Sequence, residues 1–276
     1  MLRSLFVATL AVGLSACASV ERLALPKPTL LSQDFIFQTP AQTQRVNYAI
    51  YNQFLTRYWA KDTNGIARVD YKAVSAADQA NLASFLDQLQ QIDPGTLGRD
   101  EQLAYWINLY NAQTIRVVLD AYPVGSIREI KDGPFSIGPW NRKDVVVNGA
   151  ALSLDDIEHR IIRPTFNEPR IHYALNCAAA SCPNLAPQAW RGAGLDAAFE
   201  AAELSYLADD RGISIDGNGR VTASKIYIWF REDFGANENE VLARLISKSP
   251  EPKATALQER GRIDRYEYDW SLNEVP

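Results

Sequence analysis

The sequence predicts an α+β fold, a single domain in which an antiparallel sheet is packed by helices. Three observations predict it. Apolar stretches of helical period are separated by short strand-like runs, without the regular strand–helix alternation of a parallel sheet. Asn148-Gly149 and Asp216-Gly217-Asn218-Gly219 are hairpin-turn signals between such runs. Hydrophobic residues make up 47% and charged residues 22% of 276 residues, which suits a chain able to bury a sizeable core. The net charge of -5 and the lack of a long basic run give no footprint for a nucleic-acid partner.

The elements follow in order. "MLRSLFVATLAVGLSACASV" pairs a basic residue, Arg3, with an apolar run too short to span a bilayer, and ends in Leu14-Ser15-Ala16-Cys17. That ending resembles a bacterial lipoprotein signal. The resemblance implies removal of residues 1–16 and lipidation of Cys17, which anchors the chain to a membrane. The absence of Asp after Cys17 favours the outer membrane, with the protein facing the periplasm. Residues 17–40 read as the lipidated cysteine and a tether, broken by Pro26, Pro28 and Pro40. One globular domain is expected over 41–276.

Within it, Arg45 to Trp59 has helical period and Ile66 to Tyr71 reads as a strand. A helix follows, capped by Ser75, with Leu82, Phe85, Leu86 and Leu89 as its stripe. The helix over 100–122 is apolar nearly all round and should be buried. Val145 to Val147 is a strand before the Asn148-Gly149 turn. Ser153 and Asp156 resemble a capping box for a helix that Pro164 should close. Arg170 to Cys177 reads as a strand, with His172, Ala174 and Asn176 on one face and Cys177 on the other. "LDAAFEAAELSYLA" is a helix, "ISIDGNGRVTASKIYIWF" a hairpin, "ENEVLARLIS" a helix, and "GRIDRYEYDWSLN" an extended strand with an aromatic plug.

Several of these stretches together resemble one family. "YWINLYNAQTI", "LSLDDIEHRIIR", "PRIHYALNCAAASCPNL", "SKIYIWFREDFG" and "YDWSLN" occur in the order of the domain-of-unknown-function family 547 and cover about 100–273. The resemblance implies an architecture similar to papain-like and transglutaminase-like thiol enzymes. Family members tend to carry a Gly and a basic residue between the two cysteines, where this chain has Ala178-Ala179-Ala180.

The chemistry concentrates in "RIHYALNCAAASCPNL", which holds His172, Cys177 and Cys182. A thiol enzyme would use Cys182 as nucleophile and His172 as base, because Cys182 lies beyond a turn and can fold back. Cys177 is the alternative nucleophile. Asn111 or Asn108 on the long helix would orient the imidazole or donate to an oxyanion; the competing reading is that these amides fasten a loop. The reaction would be hydrolysis or transfer at an amide of a peptide or of peptidoglycan. A Cys177–Cys182 disulfide is equally strong on chemistry, since Cys17 leaves an even pair in an oxidising compartment. It would give a structural or redox element in a non-catalytic scaffold or binding lipoprotein. His159, His172, Cys177 and Cys182 match no standard zinc spacing, so no cofactor or metal is expected. His159 and Asp155 are read as a surface helix pair.

Overall fold

Helix Arg99–Ala121 organises the core because its side chains are apolar on every face. All residues from Glu101 to Ile115 are buried, as expected of a helix with no solvent stripe. Asp100 and Glu101 lie in its first turn, where the positive end of the helix dipole favours them. Helix Ala76–Gln90 lays Leu82, Phe85 and Leu89 into the same core, and Tyr105 fastens it by donating to the Leu89 carbonyl at 3.0 Å. Ser75 caps that helix through the Asp78 N–H, as its sequence predicts. Helix Ala49–Tyr58 adds Tyr51, whose ring stacks on Phe85 with centroids 5.3 Å apart.

The computed structural model describes residues 21–22, 25–35, 45–133 and 136–276. The signal segment, Cys17 and part of the expected tether lie outside the described residues. The chain divides into two compact units. The larger comprises Lys27–Ala202 with Asp269–Pro276, and the smaller comprises Glu203–Tyr268 with the described residues before Lys27.

In the larger unit the strands are short antiparallel pairs, Trp59–Lys61 with Ala67–Val69 and Val145–Val147 with Ala150–Leu152. The second pair closes through Asn148 (φ 49°) and Gly149 (φ 75°), the two left-handed residues a tight hairpin needs. Ser153 and Asp156 then form the reciprocal capping box. Asp156 N–H donates to Ser153 Oγ at 3.2 Å and Ser153 N–H to Asp156 Oδ2 at 2.8 Å.

Three expectations in this unit are corrected. Pro164 does not close the helix that follows. Asp156–Ile162 is a π-helix, continued by Arg163–Phe166, and the Arg163 N–H reaches back five residues to Glu158 O. Proline has no N–H to give the carbonyls of His159 and Arg160. Those two carbonyls accept instead from Thr29 (3.1 Å) and Leu31 (2.9 Å). Residues 27–35 are therefore not a free tether: they strap this helix, and Phe35 is buried against Trp106 with ring centroids 5.8 Å apart. Nor is Arg170 to Cys177 a strand. Pro169–Tyr173 is a 3-10 helix whose start is capped by Glu168 accepting from Arg170 N–H, and Ile171 to Asn176 are all buried, so no alternation of faces exists.

In the smaller unit a three-stranded sheet runs in the order Ile213–Ile215, Val221–Ser224, Arg265–Glu267. Its first pair is antiparallel and its second parallel. The hairpin arm stops at Ser224, short of the predicted Phe230, because Ile226–Trp229 turns helical. Helix Glu238–Lys248 is capped by Asn237, and a helix not foreseen from sequence, Lys253–Arg260, follows Pro252. Glu203 is buried and paired with Arg244 at 2.6 Å. Glu21 also belongs here. Its carboxylate accepts from Lys225 Nζ at 3.0 and 2.9 Å and from Trp229 Nε1 at 3.1 Å, while Arg22 pairs with Glu232 at 2.8 Å.

Candidate functional site

Cys177 and Cys182 are joined by a disulfide, with their Cα atoms 6.3 Å apart. Cys182 is buried and Cys177 half-buried. Between them Ala178 adopts a left-handed conformation (φ 59°) while fully buried. That conformation is costly for a residue with a Cβ, and it persists because both of its backbone polar groups are held. The Ala178 N–H donates to Asn176 Oδ1 at 3.0 Å, and its carbonyl accepts from Asn273 N–H at 3.0 Å.

The long helix presents the two asparagines singled out in sequence, and each amide grips backbone on both sides. Asn111 Nδ2 donates to the Ala174 carbonyl at 2.9 Å, and Asn111 Oδ1 accepts from Asn176 N–H at 2.8 Å. Asn108 does the same to one residue, donating to Trp190 O at 2.8 Å and accepting from Trp190 N–H at 2.9 Å. A buried amide is costly unless both its ends are paired, and here the pairing fastens two loops to the core helix. The loop-fastening reading of both residues is the one the geometry supports.

Further polar groups close the loop, and sequence inspection missed them. Asn176 Nδ2 donates to Pro183 O at 2.9 Å, and Asn273 Nδ2 to Asn176 Oδ1 at 3.2 Å. Tyr71 donates to Asn273 Oδ1 at 2.9 Å, so a buried chain of amides runs from Asn111 to Tyr71. The segment Asp269–Asn273 straps the outside of the loop. Ala180 N–H bonds Ser271 O at 2.7 Å, Ser181 N–H bonds Asp269 O at 3.1 Å, and Asp269 N–H bonds Ser181 Oγ at 2.8 Å. Glu101 bridges two more backbones, accepting from Val46 at 3.0 Å and Gly192 at 2.9 Å. A Cβ at position 192 would stand 2.6 Å from the Glu101 nitrogen, so only glycine allows this approach. The signal that could have revealed these residues is an Asn or Glu set among apolar neighbours, as in "ALNCA" and "WSLN".

Each histidine has a carboxylate near its ring. His172 is buried with Nδ1 3.6 Å from Glu158 Oε1. His159 is buried too, not the surface residue expected. Its Nε2 is 3.7 Å from Asp155 Oδ1, and Arg163 lies 3.2 Å from its Nδ1. An arginine can only donate, so the ring accepts at Nδ1 and holds its proton on Nε2. Burial drives the Asp155 carboxyl up to about 6, reinforced by the charge of Asp156 and opposed by Lys143. Among the described residues no group of three or more His, Cys, Asp or Glu is arranged to hold a metal ion. In the bridged form neither cysteine is a thiolate, the species that nucleophilic attack or zinc ligation requires.

Residues 94–207 match the family model described as "Protein of unknown function, DUF547". No curated protein matches the chain, and no solved structure does. The matched residues include the long helix, the π-helix and the bridged loop, whereas "SKIYIWFREDFG" and "YDWSLN" lie beyond them. The segment 94–207 of the chain thus belongs to the domain-of-unknown-function family 547.

Proposed function

We propose that this is a lipid-anchored protein of the bacterial cell envelope that acts as a scaffold or binding module, with the bridged loop as a rigid structural element. The observation that carries this reading is the Cys177–Cys182 disulfide. Asn111 bonds the backbone of Ala174 and Asn176 that leads into it, and Asn108 bonds the Trp190 backbone beyond it, which supports a bracing role. A disulfide also suits the oxidising compartment implied by the signal-like N-terminus. No helix among the described residues is long and apolar enough to cross a membrane.

The test is intact mass after iodoacetamide treatment without reductant, across pH 5 to 9, on the chain from residue 18. A mass two hydrogens light with no label supports the reading. One fast-labelling cysteine overturns it. The chain would then be a thiol hydrolase or acyltransferase on peptide or peptidoglycan amides, with Cys182 as nucleophile and His172 as base. Labelling at Cys177 instead would make that residue the nucleophile.

A further inference from the structure

The docking of Glu21 fixes how far the folded chain can stand from its anchor. Only Ala18, Ser19 and Val20 separate Cys17 from Glu21. A fully extended chain gains at most about 3.3–3.6 Å per residue, so the Cα atoms of residues 17 and 21 are no more than about 14 Å apart. The headgroup zone on one side of a bilayer is itself about 5–8 Å deep. Glu21 is held by two side chains of one helical turn, Lys225 and Trp229, and Lys225 Nζ also stands 5.9 Å from the centre of the Trp229 ring. Arg22 adds a second fastening on Glu232. Released from this clasp, the chain from Cys17 to Thr29, whose N–H bonds the His159 carbonyl, could span up to about 40 Å.

We infer that the surface of the smaller unit around Lys225, Trp229 and Glu232 is a membrane-apposed face, held at headgroup level by the Glu21 clasp, with a lipid bilayer as its partner. The inference rests on the lipid-anchor part of the proposed function. Charge attraction does not drive the apposition, because Lys225 and Arg22 are already paired with Glu21 and Glu232. Chain length drives it, so the contact should form on neutral and anionic bilayers alike.

The experiment uses the full lipidated chain in vesicles of phosphatidylethanolamine and phosphatidylglycerol, compared with the soluble chain from residue 18. Hydrogen exchange is followed by mass spectrometry over 225–234, each protein's rate on vesicles being divided by its rate in solution. The expected result is several-fold slower exchange on vesicles. Glu21→Lys, which opens the clasp, should still float with vesicles but lose that slowing; Glu21→Gln should lose part of it. Equal rates on and off vesicles for a chain that carries lipid on Cys17 would overturn this inference alone. So would Glu21→Lys retaining the full slowing. An unmodified Cys17 would overturn the lipid anchor and this inference with it, and intact mass distinguishes the cases.

Discussion

Asn111 shows how much one side chain holds. It is the sole partner drawn from the core helix for the Ala174 carbonyl and the Asn176 N–H, both buried. Asn111→Ala strands two backbone groups and should cost about 2–4 kcal/mol in urea unfolding. Ala178→Val puts a β-branched residue where φ is positive and no space exists, and should cost at least about 2 kcal/mol in the same assay. Asp155 makes stability depend on pH. Its folded pKa, about 6, lies above the ordinary value of 3.8, so the folded state holds the proton more tightly. Its contribution is therefore full below pH 4 and is lost as pH rises through 6. Asp155→Asn should remove that loss, on the order of 2 kcal/mol at pH 8 and near zero at pH 4, read as the difference between urea melts at the two values. Asn108 and Asn111 were legible because a weak helix former stood in an apolar helix. Asn176 and Asn273 were not, since their partners lie far apart in sequence.

At the scale of elements, what was legible is what local chemistry decides. Helix 99–121, the Asn148-Gly149 turn and the Ser153–Asp156 box depend on residues a few positions apart, and all were readable. The π-helix was not. Pro164 signals a stop, and only two N–H groups from residues 29 and 31 reverse that signal by taking the freed carbonyls. The strap is testable through its backbone. Leu31→Pro removes the donor to Arg160 O and should cost about 1–3 kcal/mol. Amide exchange within 156–166 should rise with it, whereas a change elsewhere in the larger unit alone would contradict the assignment. The stretch from Arg170 to Cys177 misled in the other direction. Its alternating letters suit a strand, but Pro169 and the Glu168 cap start a 3-10 turn instead.

At the scale of the whole molecule, the bridge is a minor contributor to stability. Cys177 and Cys182 are only 5 positions apart, so the loop they close is short. Removing both, as Cys177→Ser with Cys182→Ser, should cost about 2 kcal/mol and leave the fold intact in thermal melts. The division into two units was not legible because composition and pattern do not change at residues 202 and 269, where the path leaves the larger unit and returns. That return has a consequence for assembly. Ser181 meets Asp269, 88 positions later. On the export route proposed above, a chain that crosses amino-terminus first brings both cysteines into the oxidising compartment before the segment that straps their loop. A staple that adds little to the finished molecule can thus matter most to the incoming one, by keeping the loop closed until its strap arrives.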